Sequence, residues 1–270
     1  MRLAVGGREA SVYTGGKALD TTLPAIVFVH GAMHDHSVWT LLARWFAHHG
    51  HAVLAVDLPG HSGSEGPALA SVEALADWLL ALLDAAGVAQ AALVGHSMGS
   101  LIALEVAAQA PERVSRLVMI ATAYPMAVSK ALFDAAERDP HVAIDSVNAF
   151  SHSTLAGKPS HPGPGSWLHG GNRALMRRMQ AGAEGNLFLD DFRVCDRYRG
   201  GLEAAARVAC PATLILGESD QMTSPKQTAD LAAALRADVK RLPSGHAVMT
   251  EAPELVLAAL RQALSPTAIA

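Results

Sequence analysis

The pentapeptide GHSMG at residues 95–99 constrains the fold more than any other feature of this chain. It follows the apolar run 91–94, which predicts a buried strand, and precedes the run 100–107, which predicts a helix. A G-x-S-x-G sequence at such a turn is typical of a nucleophile elbow, where the serine backbone is strained and the glycines leave room for the adjoining strand and helix. A serine lying by chance in a glycine-rich loop is the alternative, and the flanking segments disfavour it. We therefore expect Ser97 to hold its oxygen above a sheet edge, where the N-terminus of the helix favours negative charge.

Length and composition favour one α/β domain, or a domain with an insertion: the chain has 270 residues, of which 50% are hydrophobic and 17% charged. The net charge of −4 gives no basic surface for nucleic acid. No apolar run reaches the roughly 18 residues that a membrane helix needs, and no charged N-terminal region leads into an apolar core. Cys195 and Cys210 are too few for a disulfide framework and lack metal-ligand spacing. We expect a cytoplasmic protein with no membrane partner.

Short β-type and longer helical patterns alternate through the first 121 residues. The helical patterns cover residues 38–48 and 71–86, the second with Ser71 as N-cap and Gly87 just beyond its end. Repeated β-α alternation predicts a mostly parallel sheet with helices on both faces. The predicted strands here are 2–5, 9–13, 25–29, 52–56, 91–94 and 114–120.

This alternation stops between residues 122 and 208, where no buried strand is evident. A structureless loop of that length is implausible in a compact domain, so we expect a helical cap over residues 125–205, inserted into a core of residues 1–124 and 206–270. Strands are expected to resume at 212–217 and 238–242, with a helix near 225–236 between them and a last helix over 252–264. Glu251 and Pro253 suit the beginning of that last helix.

A serine needs a base and an acid to act as a nucleophile, and this elbow type expects them downstream in the order acid, then histidine. Asp220 follows the strand ending at 217, and His246 follows the last strand. Both positions lie at the carboxyl edge of a parallel sheet, as Ser97 does. We expect His246 to exchange the proton with Ser97 while Asp220 orients the imidazole. Glu218 and Asp57 are the rival acids.

An oxyanion formed at this serine needs backbone N–H donors. Met98, directly after Ser97, is expected to supply one, and the loop that follows the strand 25–29 should supply the other. Ala32 is the first residue after His30 and Gly31 in that loop. Met98 and Ala32 are therefore the predicted oxyanion-hole residues.

Taken together, these segments make the chain resemble the α/β-hydrolase fold superfamily, and in particular its capped serine hydrolases. The matching features are the His30-Gly31 loop followed by Trp39, the run DLPGHSGS at 57–64, the elbow at 95–99, the run GESD at 217–220 and Gly245-His246. The resemblance implies a mostly parallel eight-stranded sheet flanked by helices. It also implies a cofactor-free Ser-His-Asp hydrolase acting on esters or lactones. Serine rather than aspartate at the elbow disfavours dehalogenase and epoxide-hydrolase chemistry.

Other functions stay open. Relatives that cleave carbon–carbon bonds commonly carry tryptophan directly after the catalytic histidine, whereas Ala247 stands here. Arginines of the expected cap (Arg173, Arg177 and Arg178) could still grip a substrate carboxylate. A third alternative is a non-catalytic ligand-binding protein of the same fold, which the complete triad disfavours.

The expected substrate is a small, mainly apolar ester or lactone, bound by a monomer or homodimer. His34 and His36 lie near the predicted mouth of the site and are candidates to line it. Trp167 and Met176 are candidates for an apolar pocket in the cap, although packing of cap against core explains such residues equally well. A metal site at the paired histidines (His34 with His36, and His48, His49 with His51) is disfavoured because no carboxylate accompanies them at ligand spacing.

Overall fold

The computed structural model describes residues 1–153 and 168–265. Over these residues eight strands form one sheet in the order β1-β2-β4-β3-β5-β6-β7-β8. In chain order the strands are β1 Arg2–Val5, β2 Arg8–Tyr13, β3 Ala25–Val29, β4 Ala52–Val56, β5 Ala91–His96, β6 Val114–Ile120, β7 Ala212–Gly217 and β8 Asp238–Leu242.

The first two strands pair antiparallel, β2 also pairs antiparallel with β4, and every other pairing is parallel. The carboxyl ends of β3 to β8 therefore lie along one edge of the sheet, which is where ligands bind in open α/β sheets. The predicted mostly parallel eight-stranded fold is confirmed.

The central strands β3 and β4 are buried along their whole length. Successive side chains point to opposite faces, so Val27 packs in one apolar layer while Ile26 and Phe28 pack in the other. Burial on both faces is why these strands read as continuous apolar runs instead of alternating ones.

Helices cover both faces of this sheet. One face carries α2 Val72–Ala85, α3 Met98–Gln109, α8 Gly201–Arg207 and α9 Ala229–Leu235, and the other carries α1 Thr40–Ala47, α10 Val248–Glu251 and α11 Pro253–Leu264. The N-cap expected at Ser71 forms, since its Oγ accepts from Ala74 N at 3.1 Å. Gly87 has φ +68°, a conformation that glycine adopts readily after a helix end.

Among the described residues between β6 and α8 there are four helices, which we call the inserted helices. They are α4 Lys130–Arg138, α5 Pro140–Ser151, α6 Leu168–Gly182 and α7 Leu187–Arg197. Their apolar faces form a third hydrophobic cluster of their own, which also receives Met33 from the core. The division into a cap at 125–205 and a core stays a prediction, and both Trp167 and the Gly/Pro-rich stretch 157–165 lie outside the described residues.

Candidate active site

The turn between β5 and α3 strains the backbone of Ser97, which has φ 51° and ψ −120°. Residues with side chains rarely adopt this region, and it persists only where the surroundings hold it. The Ser97 N–H donates to Ile120 O at 2.9 Å. The neighbouring glycines permit the turn because a Cβ on Gly95 would collide with the carbonyl oxygen of Gly99, and one on Gly99 with that of Val29. The local sequence thus forces the serine out at the carboxyl edge of the sheet.

Ser97 opens on a cavity of about 440 Å³ between the strand ends and the inserted helices. None of the described residues that line it is an aspartate, glutamate, lysine or arginine. From the core side the lining includes Gly31, Ala32, His34, Ser97, Thr223 and His246, and from the inserted helices it includes Val147, Phe150, Met176 and Phe192.

His246 follows β8 and is held by the loop that follows β7. Its Nδ1 lies 2.9 Å from Asp220 Oδ2 and 3.1 Å from Thr223 Oγ1, whose hydroxyl donates to the same carboxylate oxygen at 2.7 Å. His96, at the end of β5, donates from its Nε2 to the carbonyl oxygen of His246 at 3.0 Å. Because Nδ1 faces the carboxylate, the Nε2 lone pair of neutral His246 is left to accept a proton.

The carboxylate of Asp220 is buried and ionised. Burial raises its pKa, but the charge and hydrogen bond of His246, with the hydrogen bonds from Thr223, outweigh that effect and the pKa is lowered. The rival Glu218 is exposed and does not line the cavity. The geometry therefore favours Asp220 over Glu218 as the partner of His246.

Asp57, the other rival acid, is engaged elsewhere. Its Oδ1 accepts from both the backbone N–H of His36, at 2.8 Å, and His36 Nδ1, at 2.7 Å. Burial raises the pKa of Asp57, but the hydrogen bonds and charge of His36 outweigh that effect, so the pKa is lowered overall. The pair braces the loop after β4, and neither residue lines the cavity.

Ala32 lines the cavity, and Met98 directly follows Ser97, which also lines it. Over the part of the chain that the structure describes, no acceptor is recorded for either N–H. The peptide before Ala32 is fixed, since His30 Nδ1 donates to Gly31 O at 2.8 Å while His30 Nε2 accepts from Leu58 N at 3.0 Å. This tautomer is neutral, in keeping with burial that lowers the pKa of His30 to about 4. His30 thus braces the loop.

His34 lines the cavity, as expected, and is uncharged there. Its Nε2 pairs with Asn172 Oδ1 of α6 at 2.9 Å, and burial lowers its pKa to about 4. Met176, also on α6, lines the cavity, whereas Trp167 lies outside the described residues. His36 does not line it.

The arginines of α6 do not place a charge in the cavity. Arg173 and Arg177 both pair with Asp145 of α5, at 2.6 and 3.0 Å, and Arg178 pairs with Asp35 at 3.1 Å. None of them is among the described residues that line the cavity.

Sequence reasoning missed two carboxylates next to this site. Glu251, read above only as suiting a helix start, accepts from Gly245 N at 3.0 Å and from Ser153 N at 2.9 Å, and so ties the His246 loop to the end of α5. Asp191 is buried within α7 and accepts from Met33 N at 2.7 Å. A charged residue inside the apolar face of α7 is a signal that the sequence did carry.

Membrane-spanning helices and metal centres are two further features that residues 1–153 and 168–265 could form. No helix there is both long and apolar enough to span a bilayer. No cluster of three or more His, Cys, Asp or Glu side chains there is arranged to hold a metal ion.

Comparison with known proteins gives consistent results. The sequence model of a family described as alpha/beta hydrolase fold matches residues 24–253. An esterase of Mycobacterium tuberculosis is 27% identical over 96% of this chain and 87% of its own length. An sn-1-specific diacylglycerol lipase of Mus musculus is 41% identical over 37% of this chain, and the match spans 33% of the lipase. Another curated relative is likewise matched over only 31% of its length.

Among solved structures, the crystal structure of the enol-lactonase from Burkholderia xenovorans superimposes with a TM-score of 0.84. The superposition covers 98% of this chain and 100% of the lactonase, at 22% sequence identity. At this identity the likeness shows the fold.

Proposed function

The chain belongs to the alpha/beta hydrolase fold family, and on that premise we propose that it is a serine hydrolase of small, mainly apolar carboxylic esters or lactones. One observation carries the proposal: Ser97, strained at the elbow, shares a cavity with His246, whose Nδ1 is paired with the buried Asp220. A nucleophile, a base and a group that orients the base are the parts that acyl transfer requires.

In the proposed reaction Ser97 Oγ attacks the substrate carbonyl carbon while His246 Nε2 takes the hydroxyl proton. The imidazolium that forms is stabilised by the Asp220 carboxylate. When the tetrahedral intermediate collapses, His246 returns the proton to the leaving alcohol and an acyl-enzyme remains on Ser97. Water, deprotonated by His246, then attacks the acyl carbon. When this second tetrahedral intermediate collapses, His246 returns the proton to Ser97 Oγ, and the carboxylic acid is released with the serine regenerated.

The oxyanion of both tetrahedral intermediates would be held by the N–H groups of Ala32 and Met98. Support comes from their position: both N–H groups lack an acceptor among the described residues, and Met98 begins α3. The N-terminus of a helix adds a favourable potential for negative charge. Donors fixed before reaction stabilise the transition state without reorganisation, and each contributes about 3 kcal/mol.

Neutral substrates fit this cavity better than ionised ones. Its described lining holds no charged side chain of lysine, arginine, aspartate or glutamate, and His34 is neutral because of its low pKa. Transferring an unpaired carboxylate into such surroundings is strongly unfavourable. His34 and Met176 are the proposed substrate contacts from the described part of the chain, and Trp167 stays a prediction.

This same lining disfavours hydrolytic cleavage of a diketo acid. That reaction needs a cation for the substrate carboxylates, and the arginines that could have supplied it are paired with Asp145 and Asp35. No observation on the described residues favours a binding protein without catalysis either.

The test is covalent labelling with a fluorophosphonate probe, read by mass spectrometry, together with rates on a panel of p-nitrophenyl esters and lactones. We expect stoichiometric modification of Ser97 in the wild type, and loss of both labelling and turnover in Ser97→Ala and His246→Ala. Ser146→Ala is the matched control, because Ser146 also lines the cavity but bonds only within α5, to Val142 O. A folded wild type that is neither labelled nor active would refute the proposal.

A further inference from the structure

The loop that carries Ala32 is bonded to the inserted helices at successive positions. Residues 33, 34 and 35 each meet a polar side chain of α6 or α7. The pairs are Met33 N with Asp191 Oδ2 at 2.7 Å, His34 Nε2 with Asn172 Oδ1 at 2.9 Å, and Asp35 Oδ2 with Arg178 Nη2 at 3.1 Å. The loop after β3 is thus held by a part of the chain more than a hundred residues away in sequence.

These three contacts differ in how firmly they hold the loop. Arg178 is largely exposed, and ion pairs with an exposed partner contribute little. Asp191 is buried, with 3% of its side chain exposed, and its Oδ2 also accepts from His61 Nε2, itself 2% exposed, at 3.0 Å. A buried carboxylate is costly unless it is fully partnered, and the partners that the structure gives Asp191 are the Met33 N–H and His61. The bond to Met33 is therefore the firmest of the three.

Asp191 acts on the conformation of the loop. Met33 has φ 61°, a region that a residue with a side chain occupies only when its surroundings hold it there. By accepting from the Met33 N–H, the Asp191 carboxylate fixes the peptide that joins Ala32 to Met33. The peptide before Ala32 is fixed from the core, where His30 Nδ1 donates to Gly31 O. In a planar trans peptide the N–H points opposite to the C=O. Holding the carbonyl of Gly31 therefore also fixes the direction of the Ala32 N–H.

We propose that Asp191 is a positioning residue for the oxyanion hole: by holding the Met33 N–H it fixes the peptide after Ala32 and, together with His30 on the peptide before it, sets the direction of the Ala32 N–H. The hole is then complete only while α7 is docked against this loop. The inference rests on the proposed function. To the residues of that function it adds Asp191, which belongs to the inserted helices.

The test compares two substitutions at Asp191 with a matched one. Asp191→Asn keeps the shape and one acceptor oxygen for Met33 but loses the charge, and Asp191→Leu removes the acceptor. Asp145→Asn is the control, because Asp145 is also a carboxylate of the inserted helices but pairs with Arg173 and Arg177 and does not touch the loop. Fluorophosphonate titration of Ser97 counts the competent sites in each preparation, so that partial unfolding does not enter the rates.

We expect kcat/KM for p-nitrophenyl butyrate, per titrated site, to fall about tenfold in Asp191→Asn and about a hundredfold in Asp191→Leu, as a displaced oxyanion donor costs. Asp145→Asn should stay within about twofold of the wild type, since exposed ion pairs contribute little. Affinity for phenylboronic acid, which forms a tetrahedral adduct on the serine, should fall by the same factors as kcat/KM. A role confined to stability would leave both per-site quantities unchanged.

The outcomes separate the two proposals. Labelling and turnover in the wild type, with both Asp191 variants near wild type per titrated site, would overturn the positioning role alone. Lost turnover without a matching loss of boronate affinity would overturn it too. A wild type without labelling or turnover would overturn the proposed function and this inference with it.

Discussion

His246 Nδ1 lies 2.9 Å from Asp220 Oδ2, and Thr223 Oγ1 lies within hydrogen-bond distance of both atoms. This arrangement does more than pair an imidazole with a carboxylate. It leaves the imidazole one favoured orientation, because the threonine hydroxyl donates to the carboxylate oxygen that Nδ1 faces. The carboxylate is itself fixed by the N–H groups of Met222 and Thr223, at 2.8 and 2.9 Å.

Substituting Asp220→Asn should therefore lower kcat by about four orders of magnitude, because the amide can present its N–H to Nδ1 and favour the wrong tautomer. The measurement is steady-state hydrolysis of p-nitrophenyl butyrate. Glu218→Gln, two residues away and exposed, serves as the control and should keep wild-type rates. The reverse pattern would make Glu218 the acid.

Gly95→Ala should destabilise the fold by about 3 kcal/mol or more, since the new methyl group would overlap backbone atoms of Gly99 that cannot move without displacing α3. Gly171→Ala is the matched control: Gly171 lies in α6, is exposed, and has nothing within 4 Å of an added Cβ. It should raise stability by about 0.5–1 kcal/mol. Urea unfolding followed by circular dichroism measures both, and equal effects of the two changes would contradict the expected overlap.

Stability should fall on the alkaline side partly because of His61. Burial lowers the pKa of His61, but the charge and hydrogen bond of Asp191 outweigh this and raise it above the usual 6.5. A raised pKa means that the contribution is complete below pH 6.5 and is lost as the pH rises through the folded-state value. Between these two values the loss reaches at most about 1.4 kcal/mol per pH unit.

The free energy of unfolding in urea, measured from pH 6 to 9, checks this. His61→Gln removes the titrating group and keeps a donor, so its alkaline decline should be shallower than that of the wild type. His36, whose pKa is raised through a hydrogen bond to Asp57, leaves a residual slope in both proteins. The exposed His49, changed to Gln, is the control and should reproduce the wild-type curve.

Charge on the acyl group should decide which esters react. We expect kcat/KM for mono-p-nitrophenyl succinate to be at least about a hundredfold below that for p-nitrophenyl butyrate, because the described cavity lining offers no cation to an ionised carboxylate. The methyl ester of the succinate should recover most of the rate at similar size. Comparable rates for the anionic and neutral esters would restore the alternative in which a cationic side chain grips a substrate acid.

Local patterns predicted the core well, because strands buried on both faces are recognisable as continuous apolar runs. The run at 25–29 matches β3 residue for residue, and the runs at 114–120 and 212–217 match β6 and β7. The run at 238–242 also matches β8, although that edge strand is largely exposed. Residues 225–236 proved less regular, beginning as a 3-10 helix at Pro225–Thr228 before α9. Short-range pattern does not separate these two helix types, which differ by one residue in hydrogen-bond span.

Candidate site residues were accessible to the same reasoning where they follow a strand end, as Asp220 and His246 do. The role of Asp191 was not accessible in this way. Its position in the apolar face of α7 marks it as unusual, but its partner Met33 lies 158 residues away along the chain and cannot be identified from the neighbouring sequence. The arginines of α6 show the opposite difficulty. Their charge suggested a substrate carboxylate as partner, whereas Arg173 and Arg177 pair with Asp145 of α5 and Arg178 pairs with Asp35.

The uncharged wall of the cavity has a consequence for the end of the catalytic cycle. Hydrolysis converts a neutral ester into a carboxylic acid that ionises at neutral pH. The described lining that admits the ester offers the resulting anion no lysine or arginine as a counter-ion, so we expect the product to bind more weakly than the ester. In the proposed reaction, the charge that forms on the acid therefore favours its release.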